Sequence, residues 1–105
     1  MNKLMIIGNL TGDPELRTTS NGKDVCHFNV AVNRGEKADF FKVSVWDENG
    51  RNCAKYLSKG KKVAVIGSVS ARAFSANDGS PRAQMEIDAR EVEYLSGREA
   101  DALPT

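Results

Sequence analysis

Short runs of alternating apolar and polar residues, separated by turn-forming residues, recur along most of the chain. Residues 4–8 form an apolar run of strand length, which predicts a first strand over about residues 3–10. Asn21-Gly22 is a strong turn signal, and the residues after it alternate in the manner of a half-buried strand. A second strand is therefore predicted over residues 25–32, with one side formed by Cys26, Phe28, Val30 and Val32.

A third strand, a helix and a long hairpin complete the predicted elements. Residues 39–46 alternate with period two, and the polar segment 47–50 is expected to break that strand. Residues 52–58 form the only plausible helix, which Lys59-Gly60 closes with glycine in the usual C-terminal position. Residues 63–74 and 83–95 alternate on either side of a turn at 77–80, which predicts one long hairpin that protrudes from the body.

The order strand, strand, strand, short helix, strand, strand is that of an OB-fold. We therefore expect an all-β protein, a five-stranded OB-fold Greek-key barrel with one short helix between strands 3 and 4. A five-stranded sandwich is the structural alternative, but a lone helix after the third strand fits it less well. At 105 residues the chain is long enough for one compact domain. We assign residues 1–95 to that domain and residues 96–105, which carry no pattern, to a short flexible tail.

Composition excludes several classes of protein. No stretch approaches the roughly 20 apolar residues of a membrane span, and the first residues become polar too soon for a signal peptide. We therefore expect a cytoplasmic protein without membrane contacts. Cys26 and Cys53 are isolated in the sequence, so we interpret them as reduced structural thiols and expect no metal site.

Recognisable catalytic motifs are also missing from the sequence. The chain has a single histidine, His27, with no glycine-rich phosphate loop and no cluster of metal-ligating residues. His27 lies between Cys26 and Phe28 on a predicted strand, where a surface or edge histidine is far commoner than a catalytic one. The sequence therefore predicts a protein that is not an enzyme and needs no cofactor.

The net charge of +1 is unevenly distributed along the chain. A nucleic-acid-binding protein usually has a basic signature, because its cations neutralise phosphates. Residues 1–82 hold 13 of the 15 Lys and Arg but only 8 of the 14 Asp and Glu, whereas residues 83–105 hold 2 and 6. The chain thus combines a mildly basic body with an acidic end.

The third predicted strand has two sides of different chemistry. Phe41, Val43 and Val45 make one side wholly apolar, as a barrel interior requires. On the other side, two aromatic rings flank a cation and a hydroxyl group at every second residue. The hairpin repeats this pairing of ring and cation on the side opposite its core-facing valines. The residues that carry both patterns are Phe40, Lys42, Ser44 and Trp46 in the strand and Arg72 and Phe74 in the hairpin.

Exposed rings that alternate with cations are typical of proteins that bind single-stranded nucleic acid. Every base has a π-face, so a ring on an exposed sheet stacks any base for roughly 1–3 kcal/mol without reading its identity. An alternative is that each outward ring covers a subunit contact or the short helix. We take Phe40, Trp46 and Phe74 as stacking candidates because each is out of phase with the apolar side of its strand. Three further cations complete the predicted DNA-binding set: Arg17, Arg34 and Lys59.

Several segments spread over residues 2–95 occur in a specific order and spacing. They are residues 2–10 (NKLMIIGNL), 12–17 (GDPELR), 21–22 (NG), 28–32 (FNVAV), 56–60 (YLSKG) and 63–67 (VAVIG). Each segment alone is a weak signal. Together they resemble the bacterial single-stranded-DNA-binding protein family.

This resemblance implies an OB-fold that binds single-stranded DNA without sequence preference and commonly assembles as a homotetramer. It also implies that Phe40, Trp46 and Phe74 occupy the positions whose rings stack bases. Two features depart from the family pattern. The connection at residues 33–37 is short and lacks a further stacking aromatic, and residues 101–105 do not form the acidic tip that recruits repair and replication partners in many relatives. The resemblance therefore gives no support for recruitment through such a tip.

Two surfaces are predicted to join copies of the chain. The first strand is expected to be a sheet edge, and pairing with its twin in a second subunit would satisfy its unpaired backbone groups. In the fourth strand, Ile66 is out of phase with Val63 and Val65, so joining two dimers there gives a homotetramer, a dimer of dimers. The alternative is that the helix or a loop covers Ile66 within one chain. The predicted contact residues are Lys3, Met5, Ile7, Ala64 and Ile66.

The predicted function is binding of single-stranded DNA to protect it during replication, recombination or repair. The alternative is an OB-fold accessory or adaptor module that acts mainly through protein contacts, in replication restart or in a mobile element. The weak net charge and the missing acidic tip favour the adaptor slightly. The alternation of rings and cations favours direct DNA binding more strongly.

Overall fold

The computed structural model describes residues 1–95, which form six strands and one helix. The helix α1 covers Asp47–Tyr56 and lies between the fourth and fifth strands. The predicted tail, residues 96–105, lies outside the described residues. The strands are β1 (Leu4–Leu10), β2 (Glu15–Thr18), β3 (Asp24–Arg34), β4 (Lys37–Trp46), β5 (Lys62–Ser75) and β6 (Pro81–Tyr94).

Five of these strands close into a barrel. β1 pairs with β5, β5 with β6, β6 with β4 and β4 with β3, and the ring closes where the end of β1 pairs with β3. The β4–β6 pair is parallel, and the other pairs are antiparallel. The closing contact is short, with Asn9 opposite Ala31 and Leu10 opposite Val30. This ring, with a helix between its third and fourth strands, confirms the predicted OB-fold.

The barrel interior holds one side of each barrel strand. Cys26, Phe28 and Val30 of β3 are buried, as are Val43 and Val45 of β4. Most of their neighbours in sequence are exposed or half-buried, so the alternation seen in the sequence is largely that of the two sides of the strand. Val25, next to Cys26, is the exception, because it is buried as well. The core assignment from the sequence is therefore confirmed for these two strands.

Both cysteines lie in this core as free thiols. Burial raises the pKa of Cys26 to about 11, and burial also raises the pKa of Cys53. The Tyr94 hydroxyl donates a hydrogen bond to Cys53 Sγ at 3.7 Å. The thiols are protonated at neutral pH and are therefore unreactive, which agrees with their interpretation as structural residues.

The strand β2 lies outside the barrel, and the sequence pattern does not predict it. Its four residues are all exposed, so it has no buried side to produce an alternating signal. It pairs with β3 over Asp24 to His27, on the edge that β3 presents beyond its contact with β1. The barrel itself remains five-stranded, and β2 widens the sheet beside it.

The helix begins five residues earlier than predicted. Asp47 has φ 58°, in the left-handed region that aspartate tolerates, and this turns the chain out of β4. Gly50 is buried, and a Cβ atom there would overlap the carbonyl oxygen of Val45. Residues 47–50 were predicted to break the chain after the third predicted strand, but they form the first turn of α1. Glycine at position 50 allows this turn to pack closely against Val45. The C-cap is Leu57, so Gly60 lies in the following turn and does not cap the helix.

Strand β6 carries a bulge that its sequence does not reveal. Its register with β5 skips Arg90 between the partners of Ile66 and Gly67. The extra residue shifts the alternation of β6 by one position. Ile87 and Val92, five positions apart, therefore both pack against the core, although a strict period of two would place one of them outside.

The β5–β6 hairpin extends beyond the barrel, as predicted. β4 pairs with β6 only over Met85 to Asp88, whereas β5 and β6 pair out to Ser75 and Pro81. The turn is held by the Ala76 N–H, which donates to the Ser80 carbonyl at 2.9 Å. The hairpin thus forms an exposed arm over residues 70–84. No helix in the described part of the chain is long and apolar enough to cross a membrane.

Candidate nucleic-acid interface

The outer side of β4 carries two of the three predicted stacking residues. Phe40 is 60% exposed and Trp46 is 39% exposed, whereas Val43 and Val45 on the other side are buried. Phe40 and Trp46 lie near opposite ends of β4, six residues apart. At about 3.3 Å per residue, this separates them by about 20 Å along the strand. The structure thus presents two exposed rings with room for several bases between them.

Strands on both sides of β4 continue its outer surface. On the β3 side, His27 lies opposite Ser44 and Asn29 lies opposite Lys42. On the β6 side, Asp88 lies beside Ser44 and Glu86 lies beside Lys42. β5 pairs with the other edge of β6 and extends the same surface. We call this surface the candidate face. It consists of His27, Asn29, Ala31, Phe40, Lys42, Ser44, Trp46, Ser70, Arg72, Phe74, Glu86 and Asp88.

The hairpin arm brings the third predicted ring to the same face. Ser70 pairs with Glu86, and Glu86 lies beside Lys42 of β4. Residues two apart on a strand share a side, so Arg72 and Phe74 lie on the side of Ser70. Phe74 is 47% exposed. The face therefore continues from the barrel along the arm, with Phe40 and Trp46 on β4 and Phe74 on the arm.

The three predicted arginines are each paired with a carboxylate. Arg17 Nη2 lies 3.0 Å from Glu15 Oε2, and Arg72 Nη1 lies 3.7 Å from Glu86 Oε2. Arg34 donates from Nε and Nη2 to the two carboxylate oxygens of Asp39, at 3.0 and 3.3 Å. These pairs are mostly exposed, so each contributes little to stability and is screened by salt. A phosphate can therefore compete with the carboxylate for each guanidinium group.

The two predicted lysines differ from the arginines. Lys42 lies half-buried in the middle of the candidate face and makes no ion pair with any residue in the range 1–95. Lys59 lies in the turn after α1, where its backbone N–H donates to Asp13 Oδ1 at 2.9 Å. Lys42 is thus the cation of the set best placed for a phosphate on the face itself.

Two acidic residues on the face are absent from the predicted set. Glu86 and Asp88 stand beside Lys42 and Ser44 through the parallel pairing of β6 with β4. The sequence places both in its acidic end, and only the strand pairing shows that they border the predicted cation. Their charges disfavour a phosphate on the β6 side of Lys42.

His27 is the other residue that the sequence-based set omits. It is a surface residue, as predicted, but it lies between two strands and not at an edge, with Glu15 of β2 and Ser44 of β4 opposite it. Its Nδ1 lies 3.0 Å from Ser44 Oγ. Burial lowers the pKa of His27, and the charges of Lys42 and Arg17 lower it further. The alternation of β3 in the sequence indicates that His27 faces outward, but it does not indicate which residues of β2 and β4 lie beside it.

The residues predicted to join copies of the chain lie on β1 and β5. Met5 pairs with Ile66 and Ile7 pairs with Ala64, so these four apolar side chains lie on one side of the β1–β5 pair. Met5 and Ile7 are exposed and Ile66 is half-buried, but Ala64 is already buried within the chain and adds little area. Lys3 is exposed just before β1. Among residues 1–95, β3 pairs with β1 only at Asn9 and Leu10, so residues 4–8 leave one backbone edge of β1 open.

Comparison with known proteins identifies the family. The model of the single-strand binding protein family matches residues 1–95. This chain belongs to that family. The assignment confirms the resemblance that the ordered sequence segments indicate.

Members of the family and one solved structure are similar over most of the chain. The chain is 40% identical over 102 residues to single-stranded DNA-binding protein 2 of Clostridium acetobutylicum, covering 90% of this chain and 77% of that protein. It is 37% identical to the single-stranded DNA-binding protein of Oceanobacillus iheyensis, covering 90% of this chain and 63% of that protein. Its fold matches the small single-stranded DNA-binding protein from Streptomyces coelicolor with a TM-score of 0.78 at 25% identity, over 88% and 92% of the two chains.

Proposed function

We propose that this chain binds single-stranded DNA in the cytoplasm, without sequence preference, and protects it during replication, recombination or repair. Bases stack on Phe40, Trp46 and Phe74, and phosphates contact Lys42 and the neighbouring arginines. The observation that carries the proposal is the exposure of three large rings on one continuous face. Family membership supports the same ligand. Because stacking uses the π-face that all bases share, it predicts little preference among sequences.

The second candidate is an adaptor that acts mainly through protein contacts. The observation in its favour is the charge of the face, where the predicted arginines are paired and two carboxylates flank Lys42. The three exposed rings favour DNA, since stacking gives each of them a use that a polar protein partner would not. The two candidates differ in their affinity for single-stranded DNA, which can be measured directly.

Trp46 should report DNA binding by its own fluorescence. It is the only tryptophan of the chain and is partly exposed on the candidate face. A base stacked on the indole should quench its emission and shield it from a soluble quencher. A titration with a thymine oligonucleotide should therefore reduce the emission until binding saturates. If saturating oligonucleotide changes neither emission nor quencher access, Trp46 is structural and the face is assigned wrongly.

Lys42→Ala should weaken DNA binding and reduce its dependence on salt. A single strand releases counterions when a cation binds its phosphate, so each contact contributes about 0.7 to the slope of log affinity against log salt. We expect the variant to lose about that amount of slope. The matched control is Lys23→Ala, which removes an exposed lysine in the turn between β2 and β3. Equal slopes for wild type and Lys42→Ala would exclude Lys42 as a phosphate contact.

We propose that the chain assembles as a homotetramer, a dimer of dimers. The open edge of β1 and the apolar patch of Met5, Ile7 and Ile66 support self-association. Light scattering at micromolar concentration should give a tetrameric mass, and Ile66→Glu should reduce it to that of a dimer. The matched control is Leu16→Glu, which places the same charge at an exposed leucine of β2. A wild-type mass near 11.4 kDa would contradict assembly altogether.

A further inference from the structure

A polar cavity of about 470 Å³ opens on the β3 side of the candidate face. Its wall is built by the segment between β1 and β2 together with strands β2, β3 and β4. Three strands and one loop thus converge on it, which makes it a feature of the fold and not a gap along one strand. The side chains that matter for its chemistry are Asp13, Glu15, Arg17, His27, Asn29 and Lys42.

The charges of this lining balance when the imidazole is neutral. Arg17 and Lys42 contribute two positive charges, and Asp13 and Glu15 contribute two negative ones. Both carboxylates already have partners, since Glu15 holds Arg17 at 3.0 Å and Asp13 accepts the Lys59 N–H at 2.9 Å. One proton on His27 gives the lining a net charge of one positive unit. A phosphodiester carries one negative unit, so the protonated cavity matches it.

Charged groups face His27 from every neighbouring strand. From β2 these are Glu15, directly opposite, and Arg17. From β4 the charged group is Lys42, and from β6 it is Glu86. Asp88 of β6 lies beside Ser44, the residue that contacts the ring on the β4 side. The two cations oppose a proton on the ring and the carboxylates favour one.

In the free protein the net effect of burial and these charges is a pKa of His27 below its ordinary value. Burial is the largest cause that lowers the pKa of His27, and the charges of Lys42 and Arg17 lower it further. The charges of Glu15 and Glu86 raise it, but by less. An imidazole with a pKa below its ordinary value carries little charge at pH 7. A phosphate placed among the same cations would offset them and favour the charged ring.

We propose that this cavity holds one backbone phosphate of the bound single strand and that His27 takes up a proton when the phosphate enters. The inference rests on the proposed function and adds a phosphate subsite and a dependence on pH to it. The pKa of His27 is then higher in the complex than in the free protein. Affinity therefore increases as the pH falls through the pKa of the complex, and it levels off below the pKa of the free protein. A rise of about one pKa unit makes binding up to about tenfold tighter at low pH.

The single histidine allows a direct measurement. The ring proton resonance of His27 can be titrated by NMR in the free protein and in the protein saturated with a thymine oligonucleotide, because no other histidine is present. Thymine gains no proton between pH 5 and pH 8, so the oligonucleotide does not interfere. We expect the pKa of His27 to be about one unit higher in the complex. An equal or lower pKa in the complex would overturn the inference.

Calorimetry and one variant provide the independent test. Titration at pH 7 in two buffers of different ionisation enthalpy should show proton uptake on binding, and a thymine oligonucleotide with uncharged methylphosphonate linkages should show none. His27→Gln keeps a polar group beside Ser44 but cannot take a charge, so its affinity should be equal at pH 6 and pH 8. Proton uptake that persists in His27→Gln, or with the uncharged backbone, would overturn the inference while the proposed function stands. If the wild type binds no thymine oligonucleotide at either pH, the proposed function fails first.

Discussion

Alanine in place of Phe40, Trp46 or Phe74 should weaken binding of a thymine oligonucleotide by about 1–3 kcal/mol each, or about 5- to 150-fold in Kd. Each substitution removes the ring on which one base stacks. The three rings are already 60%, 39% and 47% exposed, so their removal leaves no cavity in the core. Fluorescence anisotropy of a labelled oligonucleotide gives the affinity, and a thermal melt shows whether the fold is retained.

Tyr56→Ala is the matched control for these three variants. Tyr56 is also a large exposed ring, at 57%, but it lies on α1, outside the candidate face. Its loss should leave the affinity within about twofold, because it removes no stacking surface from the DNA path. Equal weakening of DNA binding by Tyr56→Ala and by the other three variants would contradict the assignment of the stacking rings to the candidate face. Unfolding of the three face variants would contradict that assignment too, since the rings would then belong to the core.

Gly8→Ala should destabilise the protein by about 1–3 kcal/mol. Gly8 lies on β1 next to the short contact that closes the barrel. A Cβ atom there would overlap the carbonyl oxygen of Ala31 and come within 2.8 Å of Val30 Cγ1. Since most of that contact is with backbone, β1 and β3 must move apart. Urea denaturation with linear extrapolation measures the loss in the free energy of unfolding.

Gly12→Ala separates this steric effect from the general effect of replacing glycine. A Cβ at Gly12 meets no atom within 4 Å, and its φ is not positive. Alanine there restricts the unfolded chain and should stabilise the protein by about 0.4–1 kcal/mol. The two substitutions thus have opposite expected signs. Equal stability of Gly8→Ala and wild type would mean that β1 and β3 do not approach each other as described.

The side of each strand that faces the core could be predicted from the sequence because burial imposes a period of two. Phe41, Val43 and Val45 could fill a barrel only if Phe40 and Trp46 pointed away from it. The same reasoning gave the order of the barrel strands and the place of the helix. It also gave the three candidate rings before any pairing of strands was known.

Features that depend on contacts between distant residues could not be predicted in this way. The bulge at Arg90 follows from the register of β6 with β5, and β2 has no buried side to reveal it. The pairing of Arg72 with Glu86 joins the two strands of the β5–β6 hairpin. His27 was visibly outward, but its role depends on neighbours from β2, β4 and β6 that only the fold assembles.

Binding of a thymine oligonucleotide and of a duplex of equal length, at the same salt concentration, distinguishes base stacking from attraction to phosphates. We expect clear saturable binding of the single strand with quenching of Trp46. The duplex should bind at least about tenfold more weakly, because its bases are already stacked and unavailable to the rings. Equal affinity for both, or no binding of the single strand, would contradict the proposed stacking of bases on the three rings. The first outcome would indicate attraction to phosphates alone, and the second would favour the adaptor.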